Sequence, residues 1–381
     1  MANIKYINNI DKLTCISQDE KSLLKRVTDR YMFRSNEYYL GLINWADPND
    51  PVRRLIFPSV QELEPWGYLD PSDEGKYTVL PGLQHKYPST ALLLVTKVCG
   101  GICRYCFRKR LFLVRKSDIL RNFSAALEYI RSHSEITNVL LTGGDPLMLS
   151  TKKLEAYIEG LFSVPHLRAV RIGTKLLSFN PFRVLDDPSL TTMISRFTRN
   201  HRKIYLVAHF THPKEFTPQA AKAVEMLQSA GAILINQCPL IRGVNDNPGI
   251  LAELFQVMAF AGIPPYYVFQ CRPAVGNKPY AVPIEEGYEI FEAAKARVSG
   301  LAKRARYVMS HQSGKLEIVG KTQEFMFFKY HRAAKQEDSG RFLIMRRNPM
   351  AYWFDDYEQA VDDYILDLVM EKGNTLGTAA I

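Results

Sequence analysis

Seven short apolar or β-branched runs, at 91–96, 138–142, 169–173, 204–210, 233–236, 266–270 and 306–310, alternate with amphipathic stretches along this chain. Runs of that length suit strands, and the stretches between them carry apolar residues three and four apart, the spacing of a helix face. Ile119, Leu120, Phe123, Leu127 and Ile130 share one such face, and the stretches 218–230 and 250–261 stop at Gly231 and Gly262, which are helix-stop signals. Strict alternation of this kind predicts a parallel sheet joined by crossover helices. Six or seven units fall short of a closed eight-unit barrel, so the expected fold is α/β, a partial (β/α)6-type parallel barrel over 91–320. Residues 1–90 read as an N-terminal extension packing on it, helical at 18–31 and rich in Pro, Asp and Glu at 47–74. Residues 321–381 read as a C-terminal extension, with helical spacing at 357–370 and a frayed end.

The polar residues fall in phase with the strands. Cys99 follows the first, Gly143-Gly144-Asp145 the second, Gly173-Thr174-Lys175 the third, and His209 and His212 the fourth. Asn236-Gln237, Gln270-Cys271-Arg272 and Ser310-His311-Gln312-Ser313-Gly314-Lys315 follow the others. Parallel α/β barrels build their sites at the C-terminal ends of the strands, so one pocket could collect all of these. Cys99, Cys103 and Cys106 stand in the spacing C-x3-C-x2-C. Three thiolates can hold three irons of a [4Fe–4S] cluster and leave the fourth iron open. Zinc would want a fourth ligand and often a second paired half-site. The other thiols, Cys15, Cys238 and Cys271, are scattered. The spacing, followed by the aromatic Phe107, resembles the radical S-adenosylmethionine superfamily. That resemblance implies S-adenosylmethionine on the open iron and a 5′-deoxyadenosyl radical as the product of its cleavage.

At 46% hydrophobic and 23% charged the chain has the balance of a globular protein. Its start lacks an apolar h-region, and no apolar run approaches the ~20 residues that span a bilayer. Reduced thiols and a cluster point to the cytoplasm. A net charge of +10 raises the question of a nucleic-acid partner. Much of the basic density is local, at Arg104, Arg108, Lys109, Arg110, Arg115 and Lys116 around the cysteine loop, where cations suit carboxylates or phosphates of small ligands. No aromatic-interleaved recognition motif accompanies it. A small amino-acid-like substrate is therefore expected, with neither membrane nor nucleic acid. An RNA- or ribosome-associated protein is the reading from another class, and steeply salt-dependent RNA binding would be its signature.

From about residue 38 to 320 the chain resembles the lysine 2,3-aminomutase family. The ordered pieces are Asp47-Pro48-Asn49-Asp50-Pro51-Val52-Arg53-Arg54, Pro81-Gly82-Leu83-Gln84-His85-Lys86-Tyr87-Pro88, the cysteine loop with Phe107-Arg108-Lys109-Arg110, and Leu141-Thr142-Gly143-Gly144-Asp145-Pro146-Leu147. They continue as Arg171-Ile172-Gly173-Thr174, His209-Phe210-Thr211-His212-Pro213, Leu240-Ile241-Arg242-Gly243-Val244-Asn245-Asp246 and Tyr266-Tyr267-Val268-Phe269-Gln270-Cys271. The resemblance implies that Gly143, Gly144 and Asp145 meet the methionine amino group, although a tight turn after a strand would equally call for the glycines. It implies that Arg171, Thr174 and His209 reach the ribose or carboxylate of S-adenosylmethionine, and that Arg108 binds the α-carboxylate of the substrate. It also implies pyridoxal 5′-phosphate, carried on Lys315 with Lys86 at its phosphate, an external electron donor for the cluster, and a homo-oligomer in keeping with the family.

Three departures limit what the resemblance carries over. The glycine run before the family lysine is reduced to His311-Gln312-Ser313-Gly314. A second family arginine at the phosphate appears as Thr90. The aspartate that takes the distal ammonium of lysine falls at Arg272, and a second such aspartate has no clear counterpart near Met309 to His311. The expected activity is therefore a pyridoxal-phosphate-dependent 2,3-aminomutase (an isomerase) acting on an acidic or neutral polar amino acid rather than lysine, with Arg272 at the distal end. An Arg272 turned to solvent would remove that argument. The alternative enzyme keeps the cluster and drops pyridoxal phosphate, as an epimerase, decarboxylase or rearrangement enzyme.

Overall fold

The computed structural model describes residues 4–113, 118–198 and 201–358. A small antiparallel ribbon pairs β1 (Tyr6–Ile7) with β2 (Ser35–Asn36). All other strands among the described residues lie in one twelve-stranded sheet, in unbroken chain order. Its centre is parallel and holds β5 (Thr90–Thr96), β6 (Asn138–Gly143), β7 (Ala169–Thr174), β8 (Lys203–Ala208), β9 (Ile233–Pro239), β10 (Pro265–Phe269) and β11 (Arg306–His311). Each of the seven runs read from the sequence lies on one of these strands. β3 (Thr78–Leu80) and β4 (Leu83–Tyr87) extend one edge antiparallel. β12 (Gly314–Lys321), β13 (Phe325–Ala333) and β14 (Phe342–Arg346) extend the other.

Helices Phe123–Ser132, Thr151–Phe162, Pro188–Phe197, Pro218–Ser229, Pro248–Phe260 and Ile284–Ala296 cross between the parallel strands. Five of them start on a side chain that accepts an otherwise orphaned backbone N–H: Asn122, Ser150, Asp187, Thr217 and Asn247. The first begins later than its apolar face suggested. Asn122 caps it, and the Leu120 N–H is already committed to the Leu94 carbonyl, which keeps 119–121 out of the helix. Leu154, Ile158, Leu227, Leu254 and Met258 from these helices are buried with Val139, Leu141, Val170, Ile172, Leu206 and Leu234 of the strands. That core holds the strand ends, and so the site, in a fixed frame.

β3 and β14 pair on one side only. A parallel-rich sheet is thus what the structure shows of the expected partial barrel, without hydrogen-bonded closure among the described residues. Two readings of the C-terminal part change. Residues 321–346 are not a tail but supply β13 and β14, with Met326, Phe328 and Tyr330 alternating inward at the period of a strand. Lys315 is not in a loop after the last strand; it is the second residue of β12, beyond a tight turn at Gln312-Ser313. Most of the helical spacing at 357–370, together with Arg115 and Lys116, lies outside the described residues. No helix among the described residues is long and apolar enough to cross a membrane.

Candidate active site

The C-terminal ends of the parallel strands open into one cavity of about 380 Å³. Its lining includes Lys86, Cys99, Cys103, Cys106, Arg108, Gly143, Gly144, Asp145, Arg171, Thr174, His209, Arg272 and Lys315, which is every site residue read from the sequence.

At one end is the cysteine loop. It is tied down by its backbone, Ile102 N–H donating to the Arg34 carbonyl at 2.9 Å and Arg104 N–H to that of Leu55 at 3.0 Å. Between two of the cysteines, the Arg104 guanidinium is buried and forks onto Glu62 at 2.7–3.1 Å. Burial pushes the Cys99, Cys103 and Cys106 thiols up, Cys103 to about 12. Proximity adds to this at Cys99, where the charges of Cys106 and Cys103 raise it further. Burial alone thus favours the protonated thiols, and a multivalent iron centre bound by the three would supply the positive charge that holds them as thiolates.

The neighbouring strand ends are locked to this loop. Gly144 N–H donates to Thr96 O at 2.6 Å and Asp145 N–H to Val98 O at 2.8 Å; a Cβ on Gly144 would stand 2.4 Å from the Val98 carbonyl oxygen. The tight turn alone therefore demands that glycine. Asp145 is buried and accepts from Thr174 Oγ1 at 2.8 Å and from the N–H groups of Lys175 and Leu147. Burial raises its carboxyl to about 6 despite those bonds. Lys175 is buried, ion-paired with Glu215, and donates to the His209 carbonyl at 3.0 Å. His209 is held well below the usual imidazole range by burial, then by the Lys175 charge, so it is neutral and its Nε2 meets Tyr105 Oη at 3.3 Å.

The other end is basic. Glu74 binds Arg108 through Nε and Nη2 at 2.9–3.3 Å and also pairs with Arg110, while Arg108 Nη1 reaches Thr142 Oγ1 at 3.0 Å. Arg272 faces inward, its guanidinium carbon 3.7 Å from the centre of the Phe107 ring, which removes the solvent-facing alternative. Its Nη1 is buried without a hydrogen-bond partner, as is Nε of Arg171. Burial lowers Arg272 to about 10. Lys315 stands 3.9 Å from the centre of the Tyr267 ring. Burial, then the charges of Arg171, Arg332, Arg272 and Lys86, hold its amine well below the ordinary lysine value. A lysine whose burial favours the neutral amine, beside unpaired cations, suits a cofactor that joins an aldehyde to an anionic phosphate.

Glu74, Lys175 and Arg332 were missed as site residues in the sequence. Lys175 stood beside Thr174 in a strand-end motif, and that position was its signal. Glu74 lies in an acidic segment with no motif of its own. Arg332 carries no local signal at all.

Three half-buried thiols at the C-terminal edge of a parallel sheet, with neutral and basic groups completing one cavity, are the arrangement of a radical S-adenosylmethionine enzyme. No protein-family model matches the chain. It is 54% identical over 95% of its length to a protein of Aquifex aeolicus (strain VF5), provisionally named an L-lysine 2,3-aminomutase, of which it covers 97%. It is 34% identical to the L-lysine 2,3-aminomutase of Fusobacterium nucleatum over 78% of this chain and 70% of that protein. To the glutamate 2,3-aminomutase of Clostridioides difficile (strain 630) it is 32% identical, again over 78% and 70%. The chain belongs to the lysine 2,3-aminomutase-like family of radical S-adenosylmethionine enzymes. It is accordingly an isomerase of aminomutase type that works with a [4Fe–4S] cluster, S-adenosylmethionine and pyridoxal 5′-phosphate.

Proposed function

We propose that the enzyme moves an amino group between carbons 2 and 3 of an amino acid whose distal end is acidic or neutral polar. The observation that carries this is Arg272, buried in the cavity with Nη1 unpartnered. The described residues lining the cavity include two acids, Glu74 and Asp145. Glu74 is engaged by Arg108 and Arg110, and Asp145 by Thr174 and backbone N–H groups. Neither is free to take the distal ammonium of lysine. That ammonium beside Arg272 would meet an unpaired like charge in a desolvated setting, at a cost of several kcal/mol. Two of the relatives above, the 54% identical one included, are named for lysine and one for glutamate; what supports an acidic substrate here is Arg272 in this chain's own cavity.

Cys99, Cys103 and Cys106 would hold the cluster, and Lys315 and Lys86 the pyridoxal phosphate. When bound, these groups supply a carbon-centred radical for hydrogen abstraction and a conjugated ring that carries the migrating nitrogen. The protein binds and orients. Glu74 and Thr142 fix the plane of Arg108 and leave one N–H on each terminal nitrogen for an α-carboxylate. Arg272 receives the distal group, and the Lys315 amine, lowered by burial, is the nucleophile toward an aldehyde.

Anaerobic product analysis with glutamate-like compounds, and lysine as control, tests this reading. Turnover of the acidic compound is expected, and Arg272→Asp should lower its kcat/KM by ~2–5 kcal/mol of lost charge-assisted contact. Efficient turnover of lysine by the unmodified enzyme, with none for acidic amino acids, would overturn it.

A further inference from the structure

Thr90 stands where the family carries a second arginine for the cofactor phosphate, and a threonine hydroxyl cannot replace a guanidinium. The fold brings one there from elsewhere. Arg332, near the end of β13, pairs in register with Lys315 on β12. Its Nη2 lies 3.1 Å from Thr90 Oγ1 and 3.1 Å from Ser89 Oγ. Its guanidinium carbon is 4.3 Å from the centre of the Tyr87 ring, and the Lys86 ammonium is 5.6 Å from the same centre. Both cations line the cavity.

We propose that Arg332 is a phosphate-binding residue of the pyridoxal phosphate site, supplied by the C-terminal strands in place of the residue lost at position 90. The proposal rests on the aminomutase assignment for the presence of the cofactor, and goes beyond it in naming a residue that none of the sequence motifs singles out. Three observations support it. Arg332 makes no ion pair with a described carboxylate, so its charge is available. Among the described residues its guanidinium meets two hydroxyls and a ring face, which position it without neutralising it. The Thr90 hydroxyl, which itself donates to Asn138 Oδ1 at 3.3 Å, thus holds the guanidinium plane, and Lys86, also beside the Tyr87 ring, is a second cation lining the same cavity. After burial, the Arg332 charge is among those that lower the Lys315 amine, and a phosphate dianion would offset that field.

The test compares pyridoxal 5′-phosphate with pyridoxal, which has the same aldehyde and no phosphate. Both are titrated by absorbance into the full-length unmodified protein and into Arg332→Ala and Arg332→Lys, without substrate. Arg332→Ala should weaken pyridoxal phosphate about tenfold to a hundredfold, the range of a charge-assisted contact, while pyridoxal binding moves less than about twofold. Arg332→Lys should lie between, since it keeps the charge and loses the fork. Inorganic phosphate should compete less well in Arg332→Ala than in the unmodified protein. Equal losses for both aldehydes, or an unchanged affinity for pyridoxal phosphate, would overturn the proposal and leave Arg332 a packing residue of the hairpin. Failure of the unmodified protein to bind pyridoxal phosphate at all would overturn the cofactor assignment as well.

Discussion

Glu62→Gln should loosen the cysteine loop by stranding a buried charge. Glu62 accepts Nε and Nη2 of Arg104 at 2.7–3.1 Å and Tyr280 Oη at 3.1 Å. The two charged side chains are 1% and 0% exposed. Arg104 sits between Cys103 and Tyr105, and its Nη1 also reaches the Met32 carbonyl at 3.0 Å, so this pair staples the N-terminal segment to the loop. Glutamine keeps the size and one acceptor but removes the counter-charge. Breaking one side of such a pair costs about 3–5 kcal/mol, because the remaining charge stays desolvated. In a chain of this length that is a fall on the order of 10 °C in the apparent unfolding midpoint. The assay is thermal unfolding by near-ultraviolet circular dichroism, together with iron bound per chain after anaerobic reconstitution; both should fall. The double change Glu62→Met with Arg104→Met removes both charges and should regain most of the lost stability. A double variant no more stable than Glu62→Gln would refute the reasoning, placing the cost in packing rather than in the unpaired guanidinium.

Two further outcomes follow from the site. Changing Cys99, Cys103 or Cys106 to Ala should abolish the broad visible absorbance of the reconstituted protein and its cleavage of S-adenosylmethionine, whereas the same change at Cys15, Cys238 or Cys271 should leave the cluster in place; a cluster surviving all three loop replacements would defeat the assignment. Burial lowers Lys86 from 10.5 to about 8, so it carries its proton below that pH and loses it above. Affinity for pyridoxal phosphate should therefore weaken as pH rises through about 8, and Lys86→Arg, charged throughout, should flatten the profile; a flat profile in the unmodified protein would remove Lys86 from the phosphate site.

Much of the site was legible because it is local. A strand run, the polar residues after it and the spacing of three cysteines are each contained in a few residues, and the backbone periods of 2 and 3.6 translate them into place. The seven parallel strands, the strand-end cluster and the cysteine trio were read that way. The helix start at Asn122 was missed because a cap and a competing backbone bond outvoted an apolar face. The strands β13 and β14 were missed although their alternation was present, since a run of aromatic and charged residues beyond the repeating units looked like a tail.

Three things were decided by tertiary structure. The direction of Arg272 is one, because a long side chain after a strand can point either way until Phe107 is placed beneath it. Glu74 is another: only packing brings it onto Arg108, 34 residues away in the chain, where it holds the guanidinium plane. Arg332 is the clearest, meeting Thr90 across 242 residues of chain. The sequence alone determined which chemistry the strand ends carry, since each motif brings its own residues together. Which distant side chain fills a gap in that chemistry depends on strand register, and register is a property of the folded sheet.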